Sequence, residues 1–279
     1  MVGTVRARKL LATLAAAAVL VGLGVAPAGP AQAAVDRPTR MASLGDSITR
    51  GFNACGFYFD CTTRSWSTGS DSAVTSHYRR LAAVRSLAAY NDAKTGAKIG
   101  ALPGQASTAV SQGVQYATVL LGANDACTSS PSTMTSVDTF RASARSGLQT
   151  LANGGVRTIF VASVPDIYQL WQVGRSSSSA RLAWAVYGIC QSMLKNPSST
   201  QTADVTRRAQ VRQRVVDYNA VLAQECAAVA GCVFDGNAVF SYPFSLGQLS
   251  TWDYFHPNTS GQAALASVTW SKVSAATGW

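Results

Sequence analysis

Five short runs of β-forming residues alternate along this chain with longer stretches of helical character, and that alternation restricts the possible folds more than any other feature. The runs cover residues 40–44, 87–91, 117–121, 158–164 and 232–234, and the helical stretches cover 72–84, 137–153, 203–229 and 260–276. Asn153-Gly154-Gly155 supplies the glycines that a helix C-terminus favours. Strands separated by helices of a dozen or more residues pair in parallel, with helices on both faces. The expected architecture is therefore one three-layer α/β/α sandwich around a parallel sheet of about five strands. In such sheets the ligand crevice lies beyond the carboxyl ends of the strands. Ser47, Gly96 and Asn124 each fall just after a predicted strand and should converge on that edge.

The first 34 residues read as an export signal that takes no part in the fold. Arg6, Arg8 and Lys9 form a basic start, residues 10–25 are apolar, and Ala31-Gln32-Ala33 matches the small-x-small cleavage pattern. Pro27 and Pro30 interrupt the apolar run, which argues against a membrane anchor. Residues 35–279 are expected to form a single secreted domain, since about 245 residues suffice for one full core. Without the signal, twenty basic residues face thirteen acidic ones. The cations are scattered and not interleaved with aromatics, which excludes a nucleic-acid footprint and leaves a mild attraction to anionic surfaces or a merely solvated exterior. Nothing in the pattern calls for an oligomer, so a monomer is expected.

Six cysteines in an exported chain imply three disulfides. Cys55 with Cys61 and Cys226 with Cys232 would each close a short local loop, which leaves Cys127 for Cys190. There is no C-x-x-C, and His77 and His256 are the only histidines, so neither a metal site nor a metal cofactor is expected.

Leu44-Gly45-Asp46-Ser47-Ile48-Thr49 puts a serine in a sharp turn after the first strand, where an acyl-transfer enzyme would present a nucleophile. A helix N-cap would use the same residues. A serine hydroxyl needs a neighbouring base. His77, in Ser76-His77-Tyr78-Arg79-Arg80, reads as a solvated histidine on a helix surface. His256 sits where a loop enters the last helix, and Asp253, three residues earlier, is close enough to reach its Nδ1–H and fix the tautomer. Asp46 and Asp125 read as structural carboxylates that accept backbone N–H bonds in tight turns.

With these residues in place the chain resembles the SGNH/GDSL hydrolase family, from Ala42 to the C-terminal helix. Ala42-Ser43-Leu44-Gly45-Asp46-Ser47 is similar to its first block, Asn91-Asp92-Ala93-Lys94-Thr95-Gly96 to its second, Leu121-Gly122-Ala123-Asn124-Asp125 to its third, and Asp253-Tyr254-Phe255-His256 to its last. Gly122-Ala123-Asn124-Asp125 followed by Cys127, and the Asp-x-Phe-His-Pro ending, resemble the secreted actinobacterial lipases and phospholipases of that family. The resemblance implies a flavodoxin-like sheet, Ser47 as nucleophile and His256 as base. It also implies an oxyanion hole from the Ser47 and Gly96 N–H groups and the Asn124 amide. Gly100 and Gly104 follow the same strand as Gly96 and compete for that place. Some lipid-hydrolysing members hold the histidine with a main-chain carbonyl, which here would be that of Tyr254.

The implied activity is hydrolysis of carboxylic esters of lipids, with transient contact with a lipid surface. Residues 57–59, Trp66, Leu170-Trp171 and Tyr242-Pro243-Phe244 are candidates to line an acyl-chain groove. A carbohydrate acetylesterase of the same family is the alternative, and a secreted non-catalytic binding protein is a more distant one. An α/β-hydrolase elbow is excluded because Thr49 stands where that motif needs its second glycine.

Overall fold

The computed structural model describes residues 1–3 and 36–279; residues 4–35, which carry the expected export segment, lie outside the described residues. Residues 36–279 belong to one compact unit. Five parallel strands, β1 (Arg40–Gly45), β2 (Ala88–Asn91), β3 (Tyr116–Leu120), β4 (Thr158–Val161) and β5 (Cys232–Phe234), form a single sheet in the order β2-β1-β3-β4-β5. Nine helices surround it among the described residues: α1 (His77–Ala82), α2 (Leu102–Ser111), α3 (Ala123–Ala126), α4 (Val137–Asn153), α5 (Ile167–Gly174), α6 (Ser178–Val186), α7 (Gln191–Leu194), α8 (Thr202–Ala227) and α9 (Thr259–Thr277).

The central strand β3 is buried along its whole length, as expected of a parallel strand covered on both faces. The edge strands β2 and β5 are only partly buried and correspondingly short. Helices α2, α4 and α8 pack together on one side, where Leu102 sits against Gly147. On the other side α1 and α9 are joined through the buried His77 ring, which bonds to Tyr116 of β3 and Thr269 of α9. The strand order reverses direction at β1, between β2 and β3, and this switch point opens a crevice beyond the carboxyl ends of β1 and β3.

The expected three-layer sandwich is therefore present, with local differences that have identifiable causes. The helix expected at 72–84 shrinks to α1 because the Ser76 hydroxyl accepts from Arg79 N and caps it there, while Asp71 ties Ala73 N into a preceding turn. Helix α2 has no match among the expected helices; its Leu-Pro-Gly-Gln-Ala-Ser-Thr sequence is poor in strong helix formers, and Pro103 is tolerated only because it lies in the first turn. Residues 175–177 form only a short junction between α5 and α6. His77, expected on the surface, is fully buried. Trp66, a candidate for the acyl groove, is also in the core, its ring edge-on to His77 at 5.3 Å.

Candidate active site

Gly45 ends β1 and makes the turn to Ser47 possible. A Cβ at Gly45 would lie 2.3 Å from the Thr49 hydroxyl and 2.8 Å from the Leu120 carbonyl, so no side chain fits. Two glutamines brace this turn from different layers of the fold. Gln105 of α2 takes Gly45 N–H on Oε1 at 2.8 Å and donates Nε2 to Gly45 O at 2.9 Å. Gln262 of α9 donates to Ile48 O at 2.8 Å and accepts from Trp66 N. Asp46 turns inward, and its Oδ1 accepts from Ile48 N at 2.9 Å. Ser47 is consequently held at the floor of the crevice with only 4% of its surface exposed.

His256 arrives from the other end of the chain. Asn258 caps α9 by accepting from Ser260 N and Gly261 N, which fixes where the loop becomes a helix two residues beyond His256. The His256 Nε2 lies 2.8 Å from Ser47 Oγ, and its Nδ1 lies 2.5 Å from Asp253 Oδ2. The other oxygen of Asp253 accepts from the backbone N–H groups of Phe255 and His256 at 3.0 and 3.1 Å. The carboxylate is thus fully engaged, and an acceptor on Nδ1 leaves Nε2 basic toward the serine. The Tyr254 carbonyl accepts from Trp184 Nε1 at 3.1 Å, so it is committed elsewhere and Asp253 alone anchors the ring.

One further residue belongs to this relay and escaped the sequence reading. Asn53, buried and at φ 65°, donates Nδ2 to Asp253 Oδ2 at 2.7 Å, the same oxygen that faces His256. It lies just before the loop closed by the Cys55–Cys61 disulfide and is tied to that loop by the bond from Asn53 N to Phe59 O. A positive φ at a non-glycine residue is a signal of local constraint, but it exists only in three dimensions.

Gly96 and Asn124 reach the crevice floor beside Ser47, as expected from their positions after β2 and β3. Gly96 has φ 79°, a conformation that side chains rarely adopt, whereas Gly100 and Gly104 have no positive φ and begin the path into α2. Among the described residues, neither Ser47 N nor Gly96 N donates to another group, so both N–H bonds are available to a ligand. One hydrogen of the Asn124 amide goes to Ala97 O at 2.9 Å, which holds the side chain and leaves the second donor free. Asp125 takes Ile99 N on Oδ2 at 2.8 Å, tying the Gly96 loop to the Asn124 turn. Burial raises both inner carboxyls, that of Asp46 to about 7. They serve as the structural acceptors expected of them.

The disulfides are Cys55–Cys61, Cys127–Cys190 and Cys226–Cys232. The second joins the turn after Asn124 to the segment between α6 and α7 and forms part of the crevice wall. Among the described residues no group of three or more His, Cys, Asp or Glu side chains is arranged to hold a metal ion. Behind Phe255 lies a narrow apolar slot lined by Ile48, Ala123, Leu170, Val173, Phe244 and Leu265. Leu170 and Phe244 are therefore where a groove was expected, while Trp171 is buried beneath Arg208, whose guanidinium stands 4.3 Å from its ring.

Comparison with solved structures shows the same fold in enzymes of distant sequence. LAE5, described as an alpha/beta hydrolase enzyme, from the metagenome of Lake Arreo in Spain, is similar at 16% identity over 86% of this chain and 95% of its own, with a TM-score of 0.54. Axe2, an acetylxylan esterase from Geobacillus stearothermophilus, is similar at 15% identity over 86% and 95% of the two chains, with a TM-score of 0.51. A search of curated proteins finds no match. The GDSL-like Lipase/Acylhydrolase family matches residues 41–268, a span that runs from β1 through His256 into α9. The relay from Asp253 through His256 to Ser47, beside three unengaged donors, is what hydrolysis of a carboxylic ester requires, and the chain belongs to the GDSL-like lipase/acylhydrolase family.

Proposed function

We propose that this protein is a secreted serine hydrolase that cleaves carboxylic esters of lipids through an acyl-enzyme on Ser47. The observation that carries the chemistry is the continuous hydrogen-bonded line Asp253–His256–Ser47 at the floor of an open crevice. His256 Nε2 takes the Ser47 proton as Oγ bonds to the ester carbonyl carbon. The carbonyl π electrons move onto oxygen, where Ser47 N–H, Gly96 N–H and the free Asn124 N–H meet the charge. Collapse of this intermediate expels the alcohol, which takes the proton from His256. Water then attacks the acyl-enzyme, giving one proton to His256, and the carboxylic acid leaves as that proton returns to Ser47 Oγ. Donors placed where charge develops are each worth about 3–4 kcal/mol of barrier. Asp253 stabilises the transient imidazolium without taking its proton.

The lipid reading rests on the walls. The slot behind Phe255 is apolar nearly throughout, and the crevice itself is bordered by Phe52, Tyr58, Ile189 and Phe255. Export rests on the basic-apolar-small pattern of residues 1–34 and is supported by three disulfides, which persist in oxidising compartments. Among the described residues no helix is long and apolar enough to cross a membrane. The likeness to an acetylxylan esterase is one of fold at 15% identity, and it makes a carbohydrate acetylester the competing substrate.

Rates on a triacylglycerol, a phosphatidylcholine, a lysophospholipid and acetylated xylan, measured side by side, decide between the two. The lipid esters should dominate; acetate release from xylan at a higher kcat/KM would replace this reading with the acetylesterase one. Ser47→Ala should abolish all of these activities, by factors that approach ~10⁶ in triad enzymes. Retention of a tenth of the rate would mean another nucleophile.

A further inference from the structure

Burying apolar side chains is favourable, so large hydrophobic residues held in water at one place on a folded chain call for an explanation. Between Phe57 and Trp252 ten large hydrophobic residues are exposed, and seven of them are Phe57, Tyr58, Phe59, Leu182, Val186, Tyr187 and Trp252. The five aromatic ones come from three separate segments and gather about Tyr58. Tyr58 stacks on Tyr187 with ring centroids 5.8 Å apart and lies 6.4 Å from Trp252, while Phe57 stacks on Phe59 at 5.7 Å. Leu182 and Val186 are one turn apart on the outer face of α6, leading to Tyr187. Tyr58 also borders the crevice and packs on Phe52, whose ring in turn lies 4.9 Å from His256. The apolar rim is therefore continuous with the mouth over Ser47.

The charged side chains on and next to α6 are cationic: Arg181 lies on the helix beside Leu182 and donates to the carbonyl of Arg175, and the stretch 167–203 that holds both contains no Asp or Glu. The acid nearest the aromatic triplet, Asp60, is neutralised by Arg50 at 2.8 Å and also accepts from Thr95. Asp253, next to Trp252, is buried in the catalytic relay.

We propose that this rim is a docking surface for an anionic lipid–water interface, and that seating it brings the crevice mouth directly onto the aggregated substrate. The inference rests on the lipid-ester reading above and adds to it the surface that recognises the aggregate. A lipid surface fits both halves of the pattern: aromatic and aliphatic side chains enter the headgroup region, and cations without nearby acids attract anionic headgroups. A polysaccharide platform would use flat rings flanked by hydrogen-bonding groups, which the aliphatic face of α6 does not offer. A second copy of the chain on this rim would close the crevice.

The test uses the exported chain in its Ser47→Ala form for binding and in its active form for turnover. The probes are phosphatidylcholine vesicles with and without phosphatidylglycerol, and the soluble ester p-nitrophenyl acetate. The expected result is sedimentation with vesicles, stronger with phosphatidylglycerol and weakened by salt, and a blue shift in tryptophan emission that Trp252→Phe removes. The triple variant Leu182→Gln, Val186→Gln, Tyr187→Ser should lose at least tenfold in vesicle binding and a similar factor in vesicle-lipid hydrolysis. Its kcat/KM on p-nitrophenyl acetate should stay within twofold, which also reports that it is folded. Undiminished vesicle binding by the triple variant, or no binding by the parent, would overturn the proposal. So would a dimer, or retention on acetylated xylan, that the same substitutions abolish. Vesicle binding lost in the triple variant, alongside negligible lipid hydrolysis by the active parent, would instead keep the docking surface and remove the lipid-ester reading.

Discussion

Replacing His77 with glutamine should make the stability of this protein less sensitive to acid. The ring is fully buried among Trp66, Phe160 and Trp270. Thr269 already donates its hydroxyl to Leu265 O at 2.6 Å, so it accepts from His77 Nε2–H at 2.8 Å. Nδ1, 2.6 Å from the Tyr116 hydroxyl, is then the acceptor, and a second proton on the ring would displace that bond. Burial, reinforced by the charge of Arg80, lowers the pKa from 6.5 to about 3. In the unfolded chain the same ring protonates near 6.5, so below that pH the unfolded state binds the extra proton and stability falls as pH falls toward 3. At 1.36 kcal/mol per unit, the loss between pH 7 and pH 4.5 is about 2.5 kcal/mol. Urea unfolding at the two pH values, in parent and His77→Gln, isolates this difference from the carboxylates common to both. The parent should lose about 2.5 kcal/mol more than the variant, whatever their absolute stabilities. Equal losses, or an NMR titration of the His77 ring with a midpoint near 6.5, would refute the buried neutral imidazole.

Asp46 acts with the opposite sign. Its buried carboxyl titrates at about 7 against 3.8 unfolded, so the folded state holds the proton and stability is lost as pH rises through 7. Between pH 4.5 and pH 8 the parent should lose about 3 kcal/mol relative to Asp46→Asn in the same unfolding assay, and parallel curves would show that Asp46 is ionised in the fold. Asn53→Gly removes the bond to Asp253 while accepting the positive φ; one hydrogen bond to a charged group, about 1.5–3 kcal/mol, should lower kcat by ~10–100-fold with KM little changed. An unaltered kcat would make Asn53 merely structural. Cys127 and Cys190 are 63 residues apart against 6 for Cys226 and Cys232, so loop entropy predicts that their double alanine variant loses about 4 kcal/mol and the shorter one about 2, a ranking that denaturation of the two variants checks directly.

How well the sequence anticipated each part followed from the range of the interaction involved. β1, α4 and β5 were readable because apolar runs, caps and glycine stops act within a few residues. The two six-residue disulfides and the Asp253–His256 pair were readable for the same reason. Helix α2 was not, because its small residues are held by packing against α4 and not by their own propensity.

The sequence by itself determined the parallel α/β class, the turn that presents Ser47, and the glycine, asparagine, aspartate and histidine that accompany it. Each depends on local chemistry: a glycine in a turn after a strand, an amide just beyond another, an acid three residues before a base. Only the tertiary structure decided what those groups meet. It placed Asn53 on Asp253 across 200 residues, clamped the nucleophile turn between Gln105 and Gln262, and occupied the Tyr254 carbonyl with Trp184. It also turned His77 from an expected surface residue into a buried neutral ring, since a histidine between polar neighbours in sequence carries no mark of the tryptophans that enclose it from α9 and the Trp66 loop. Burial and long-range partners are properties of the assembled layers, and those come into being only when the sheet brings distant segments together.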